Sequence, residues 1–110
     1  MAYDDLRSYL VALENAGQLL EIQEEVQAEP DIAAAANATG RIGEGAPAIS
    51  FKKIKGFKHA HVVMNTIGSW KNHAISLDLP ATTPIKQQIQ ELIHRWEKFP
   101  VSPERRNNPP

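Results

Sequence analysis

Two glycine-bearing turns hold the residues of this chain that could do chemistry. The first is Gly40-Arg41-Ile42-Gly43-Glu44-Gly45, and the second is Asn65-Thr66-Ile67-Gly68-Ser69. Glycines at 40, 43 and 45 invite a phosphate-loop reading, but the spacing is not G-x-G-x-x-G, and the Lys-Ser/Thr of a P-loop is missing. The run also follows a helical segment and precedes a strand. A phosphate cradle needs the reverse order, with a helix N-terminus aimed at the anion. The first turn is therefore read as structural. The second turn does run from strand to helix. Free N–H groups at that helix start could hold an anion or a carboxylate through Asn65, Gly68 and Ser69. The simpler explanation is that Ser69 caps the helix itself.

Other reactive side chains do not converge. His59 and His61 would share one strand face, but no third metal ligand is evident, and four lysines between 52 and 58 disfavour a cation. His73 and His94 fall on different helices, as partly exposed surface residues. No serine lies in a G-x-S-x-G elbow, and the chain has no cysteine. Glu21, Glu24 and Glu25 read as a solvated face. No catalytic, cofactor-binding or metal residue is assigned within the chain.

The elements that position these turns follow from periodicity. Asp4 or Asp5 can cap a first helix, on which Leu6, Tyr9, Leu10 and Leu13 form one stripe that Gly17 ends. Leu20, Ile22 and Val26, mixed with glutamates, suggest an edge strand. Pro30 suits the first position of a second, small-residue helix through Ala33–Ala36, and Gly40, Gly43 and Gly45 then turn the chain at positive φ. Ala48–Phe51 predicts a short strand, Lys52–Lys58 a solvated hairpin-like connection, and His61–Asn65 a central, β-branched strand. Ser69 opens a third helix that Pro80 stops. A last helix starts at Thr82 or Thr83 with Pro84, and Phe99-Pro100 ends it. Its residues Ile85, Ile89, Leu92, Ile93 and Trp96 share one face, with Trp96 expected in the core. Trp70, in the first turn of the third helix, is expected half exposed, or packed on another domain.

Together these elements predict a single α+β domain of about three strands and four helices over residues 1–100, with an irregular tail over 101–110. The composition agrees. A 110-residue chain fits one domain, and 42% apolar residues are enough for a core. A net charge of −1 with interspersed signs argues against nucleic acid. Apolar runs are too short to cross a membrane, and the acidic start Tyr3-Asp4-Asp5 is not a signal peptide, so a cytoplasmic protein is expected.

Several stretches carry a resemblance: Ala28-Glu29-Pro30-Asp31, Ala33 through Gly40, Val63-Met64-Asn65-Thr66-Ile67-Gly68-Ser69-Trp70, and Arg95-Trp96-Glu97-Lys98-Phe99-Pro100. With them the chain resembles the N-terminal segment of UbiD-family decarboxylases, in particular the large C subunit of bacterial hydroxyarylic acid (4-hydroxybenzoate) decarboxylases. The family's Asn-x-x-Gly-Ser/Thr pattern maps onto Asn65, Gly68 and Ser69. Of the basic pair that often follows, Lys71 is kept and Asn72 replaces the second base.

The resemblance implies an enzyme several times longer. It would decarboxylate aromatic acids reversibly and without oxidation, using prenylated FMN, manganese and potassium held by a middle domain. None of those ligands maps onto residues 1–110. It also implies a homo-oligomer and a companion flavin prenyltransferase subunit. The chain alone would then be an inactive structural domain, packed on the remainder of the enzyme. The alternative is a stand-alone binding or interaction module of the same fold. A self-sufficient enzyme is disfavoured, because no acid, base or metal cluster converges.

Overall fold

A computed structural model describes residues 3–98 and 102–108. Along the chain run α1 (Leu6–Asn15), β1 (Leu19–Ile22), α2 (Asp31–Gly40), β2 (Ala48–Phe51), β3 (Val62–Met64), α3 (Trp70–Ser76) and α4 (Ile85–Lys98). The α+β expectation holds. Among the described residues there are three strands and four helices.

Each boundary has a local cause. Asp5 caps α1: its carboxylate accepts the Ser8 N–H at 2.7 Å, and the Asp5 N–H donates to the Ser8 hydroxyl at 3.3 Å. These bonds, led by the Ser8 backbone, hold the Asp5 carboxyl below its ordinary range. Gly17 leaves α1 at φ +71°, where a β-carbon would be strained. Pro30 stands one residue before α2, as its cap rather than its first helical residue, and its carbonyl accepts the Ala34 N–H at 3.0 Å. Gly40 remains inside α2, and of Gly40, Gly43 and Gly45 only Gly43 adopts positive φ. Not Pro80 but Asp78 closes α3, at φ +58°, with α3 ending at Ser76.

The sheet order is β1-β2-β3, with β1 and β2 parallel and β2 and β3 antiparallel. The strand expected at 61–65 is thus shorter and lies at an edge, and β2 is central. The reason is visible in β2 itself: Ala48, Ile49, Ser50 and Phe51 are all buried, because helices cover both faces. Val26 lies outside β1 and bridges Ile54 instead. Ile54 is buried, so the lysine-rich connection is anchored rather than wholly solvated.

Two cores lie on opposite faces of β2. On one face Ala48 joins Tyr9 and Leu13 of α1 and Ile75 of α3. On the other, Ile49 and Phe51 join Ile54, with Ile32 and Ala35 of α2 packed against them.

The α4 stripe is not core. Ile89, Leu92 and Ile93 are about half exposed, and Trp96 is 81% exposed. The buried side chain of α4 is Gln88. At about 100° per residue, Gln88 lies roughly 80° around the helix from the middle of the stripe. Periodicity identified the stripe correctly, but the domain packs on its polar flank. The expected stop at Phe99-Pro100 lies outside the described residues. Residues 102–108 carry no helix or strand.

Candidate functional site

The second glycine turn is built by long-range bonds. Asn65 follows β3 at φ +56°, a left-handed conformation rare for a residue with a side chain. Its amide Nδ2 donates to the Ala36 carbonyl and to Thr39 Oγ1, both at 2.9 Å. Thr39 Oγ1 in turn donates to the Ala36 carbonyl at 2.9 Å. The end of β3 is thereby tied to the last turns of α2.

The Asn65 carbonyl accepts the Gly68 N–H at 3.1 Å. A β-carbon at Gly68 would come within 3.0 Å of Asn65 Cβ and 3.3 Å of its carbonyl oxygen. Glycine is therefore favoured there by close approach, not by φ. Ser69 is buried, and its hydroxyl accepts the Asn72 N–H at 3.2 Å, capping α3 as expected.

Asn65→Ala should cost about 2–3 kcal/mol in a urea melt, combining two lost hydrogen bonds with backbone strain. Asn65→Gly should cost about 1 kcal/mol less, because glycine accepts the left-handed backbone. Equal losses for the two variants would show that the strain term is absent.

Tyr9 fixes the far side of the turn. Its hydroxyl shares one proton between the Thr66 carbonyl at 2.7 Å and the Asn72 carbonyl at 3.0 Å. Tyr3 donates to the Ile75 carbonyl at 2.7 Å, and the two tyrosine rings pack 5.3 Å apart. Burial, then the neighbouring Tyr3, pushes the Tyr9 hydroxyl from its ordinary 10.0 up to about 12. An unfolded chain loses this proton near pH 10 while the folded chain keeps it. Stability is therefore full below pH 10 and falls as pH rises from 10 toward 12, by on the order of 2 kcal/mol. Urea midpoints taken across that window should fall in the native chain and fall much less in Tyr9→Phe.

Above the turn opens a cleft of about 380 Å³, lined by Gly43, Glu44, Ile67, Gly68, Ser69, Trp70 and His73. The two glycine turns, distant in sequence, form its two sides. Trp70 is 37% exposed, matching the half-exposed alternative, and meets His73 edge-on at 5.3 Å. His73 is half-buried, and its Nδ1 lies 2.8 Å from Gln88 Oε1. Gln88 Nε2 donates to the Thr83 carbonyl at 2.9 Å, which orients the amide. The proton therefore belongs on His73 Nδ1, leaving Nε2 as the acceptor. Sequence reasoning missed Gln88 and Tyr9; a glutamine on the flank of an apolar stripe was the one available signal for the former.

Asn72 is fully buried, and neither polar atom of its side chain has a partner among the described residues. A base at this position, as the resemblance would place there, would bring a positive charge into a fully buried position. Among the described residues no three of His, Cys, Asp and Glu come together. The donors among the described residues do not fit a manganese site. No described helix is long and apolar enough to cross a membrane.

Against known proteins, residues 10–92 match the family described as the 3-octaprenyl-4-hydroxybenzoate carboxy-lyase N-terminal domain, UbiD_N. The chain belongs to this family. The UbiD_N chain is 69% identical over 109 residues to a phenolic acid decarboxylase of Escherichia coli O157:H7, covering 99% of itself and 23% of that protein. It is 46% identical over 110 residues to a phenolic acid decarboxylase of Bacillus subtilis (strain 168), again 23% of that protein's length. It therefore spans about a quarter of the curated relatives it matches. Among solved structures, it aligns with the vanillic acid decarboxylase ShVdcCD of Sedimentibacter hydroxybenzoicus. In the open form with a truncated ShVdcD the TM-score is 0.86 at 52% identity, covering 92% of this chain and 21% of that one. The closed form gives a TM-score of 0.85.

Proposed function

We propose that this UbiD_N domain is the front part of a phenolic acid decarboxylase that splits carbon dioxide from hydroxylated aromatic acids of the 4-hydroxybenzoate type, reversibly and without oxidation. The observation carrying this reading is the combination of 69% identity along 99% of the chain with coverage of only 23% of the relative. Under this reading the chemistry belongs to polypeptide beyond residue 110. That polypeptide would use prenylated FMN, manganese and potassium, in a cytoplasmic homo-oligomer. The vanillic acid decarboxylase relative is a complex that includes ShVdcD. A second subunit serving as flavin prenyltransferase is the corresponding proposal here.

The domain's own task is architectural. The Asn65–Ser69 turn and the Tyr9 clasp position backbone, the Gln88 bridge ties α4 to His73 and Thr83, and none brings an acid and a base together around a substrate. The rival, a stand-alone binding module, draws on the Trp70–His73 cleft and requires a reading frame that stops after Pro110.

The test begins with the gene. An open frame past codon 110, and carbon dioxide released from 4-hydroxybenzoate by the longer protein with prenylated FMN but not by residues 1–110, is the expected result. Turnover by residues 1–110 alone would refute the architectural role.

A further inference from the structure

We propose that the projecting part of α4, carrying Ile89, Leu92, Ile93 and Trp96, is the face onto which the polypeptide following residue 110 folds back. The inference rests on the reading that the chain continues as its relatives do, and it names the surface that the continuation covers. The first observation is placement. α4 is held to the domain at Gln88, near its start, and the stripe beyond leaves apolar side chains in water. Four apolar residues at i, i+3, i+4 and i+7 on a single helix face are a docking pattern, not scattered surface residues. A helix of 14 residues with this stripe in water is marginal by itself and gains from being covered.

The second observation is size. Side chains of these types, exposed to this degree, offer roughly 300–400 Å² of apolar surface. A stable pair of separate molecules needs about 800 Å² on each partner. A second copy of the chain therefore gains too little from this face alone.

The third observation is the tether. The chain leaves α4 at Lys98, and residues 102–108 are exposed and irregular, so they do not cover the stripe themselves. Ten residues span at most about 35 Å, while Ile89 to Trp96 occupies only about 10 Å along the helix. Whatever follows residue 108 starts within reach of the stripe. It acts at the high effective concentration of an intramolecular partner, for which a small contact suffices. The curated relatives, of which this chain is 23%, carry such polypeptide.

Amide hydrogen exchange of residues 89–98 tests this, compared between the 110-residue chain and the longer protein, with α1 amides as the internal folding control. Protection of residues 89–98 should rise on the order of 100-fold in the longer protein while α1 stays unchanged. Trp96→Glu should remove most of that rise and leave the urea midpoint of the 110-residue chain in place. Equal exchange in both proteins overturns the proposal. So does protection in the 110-residue chain that grows with concentration, which would assign the face to a second copy. Decarboxylation by the longer protein is read separately. An active longer protein with an unprotected helix overturns the docking and leaves the decarboxylase reading standing. An inactive one with a protected helix supports the docking and overturns that reading.

Discussion

Phe51→Ala is expected to remove about 3–5 kcal/mol of stability. Phe51 is 1% exposed, at the end of the central strand, and packs with Ile49 and Ile54 against α2. Its strand neighbours are Ile22 on β1 and Val62 on β3, so both flanking strands lose contact when the ring goes. At roughly 0.05–0.15 kcal/mol per residue, a domain of this length has about 5–15 kcal/mol in total. The variant would then lie close to unfolding at the lower end of that range. Urea melts check this: the midpoint should drop sharply with the slope unchanged. A loss under about 1 kcal/mol would mean that the face of β2 against α2 is not a core.

Gln88→Ala should release α4. The glutamine is 1% exposed and bridges His73 Nδ1 on α3 and the Thr83 carbonyl in the connection between α3 and α4. Truncation leaves a donor and an acceptor without their partner, at about 1–3 kcal/mol for each that stays buried. Gln88 is the buried side chain of α4, so its loss should let the helix fray. The expected signature is loss of far-ultraviolet helical signal from a segment of 14 residues, while the rest of the domain melts at an almost unchanged midpoint. Gln88→Glu should fall between, because a carboxylate can still accept from His73 but cannot donate to Thr83. A Gln88→Ala variant with native helical content would show that α4 is held by something other than this bridge.

Much of the fold was legible because local rules decide local features. Asp5, Gly17 and Ser69 each act where their chemistry says they should, and the α1 stripe faces inward at Tyr9 and Leu13. What escaped the sequence was pairing at a distance. An apolar stripe reveals an amphipathic helix but not what covers it, so Trp96 was assigned to a core that lies elsewhere. Val62 and Val63 have the composition of a central strand, yet the strand buried on both faces is Ala48–Phe51, where Ser50 obscures the pattern. In the candidate site, Ser69 was readable as a cap. The reach of Asn65 to α2, 26 and 29 residues away, was not, and neither was the Tyr9 hydroxyl spanning 57 and 63 residues. That the chain spans only about a quarter of its relatives was foreseeable only through resemblance, because composition and spacing cannot report a relative's length.

The two cores on opposite faces of β2 are separated by the sheet. Ala48 faces Leu13 and Ile75, while Ile49 and Phe51 face the other way, toward α2. A change of side-chain volume on one face has no direct steric route through the sheet to the other. Substitutions in such a sheet can therefore drift as two separate lineages of change. Compensating exchanges should couple Tyr9, Leu13 and Ile75 among themselves, and Ile49, Phe51 and Ile54 among themselves, without linking one set to the other. A chimera that takes α1 and α3 from one relative and α2 from another should fold, provided it keeps the Asn65–Thr39 and Tyr9–Thr66 bonds that join the two sides at the second glycine turn.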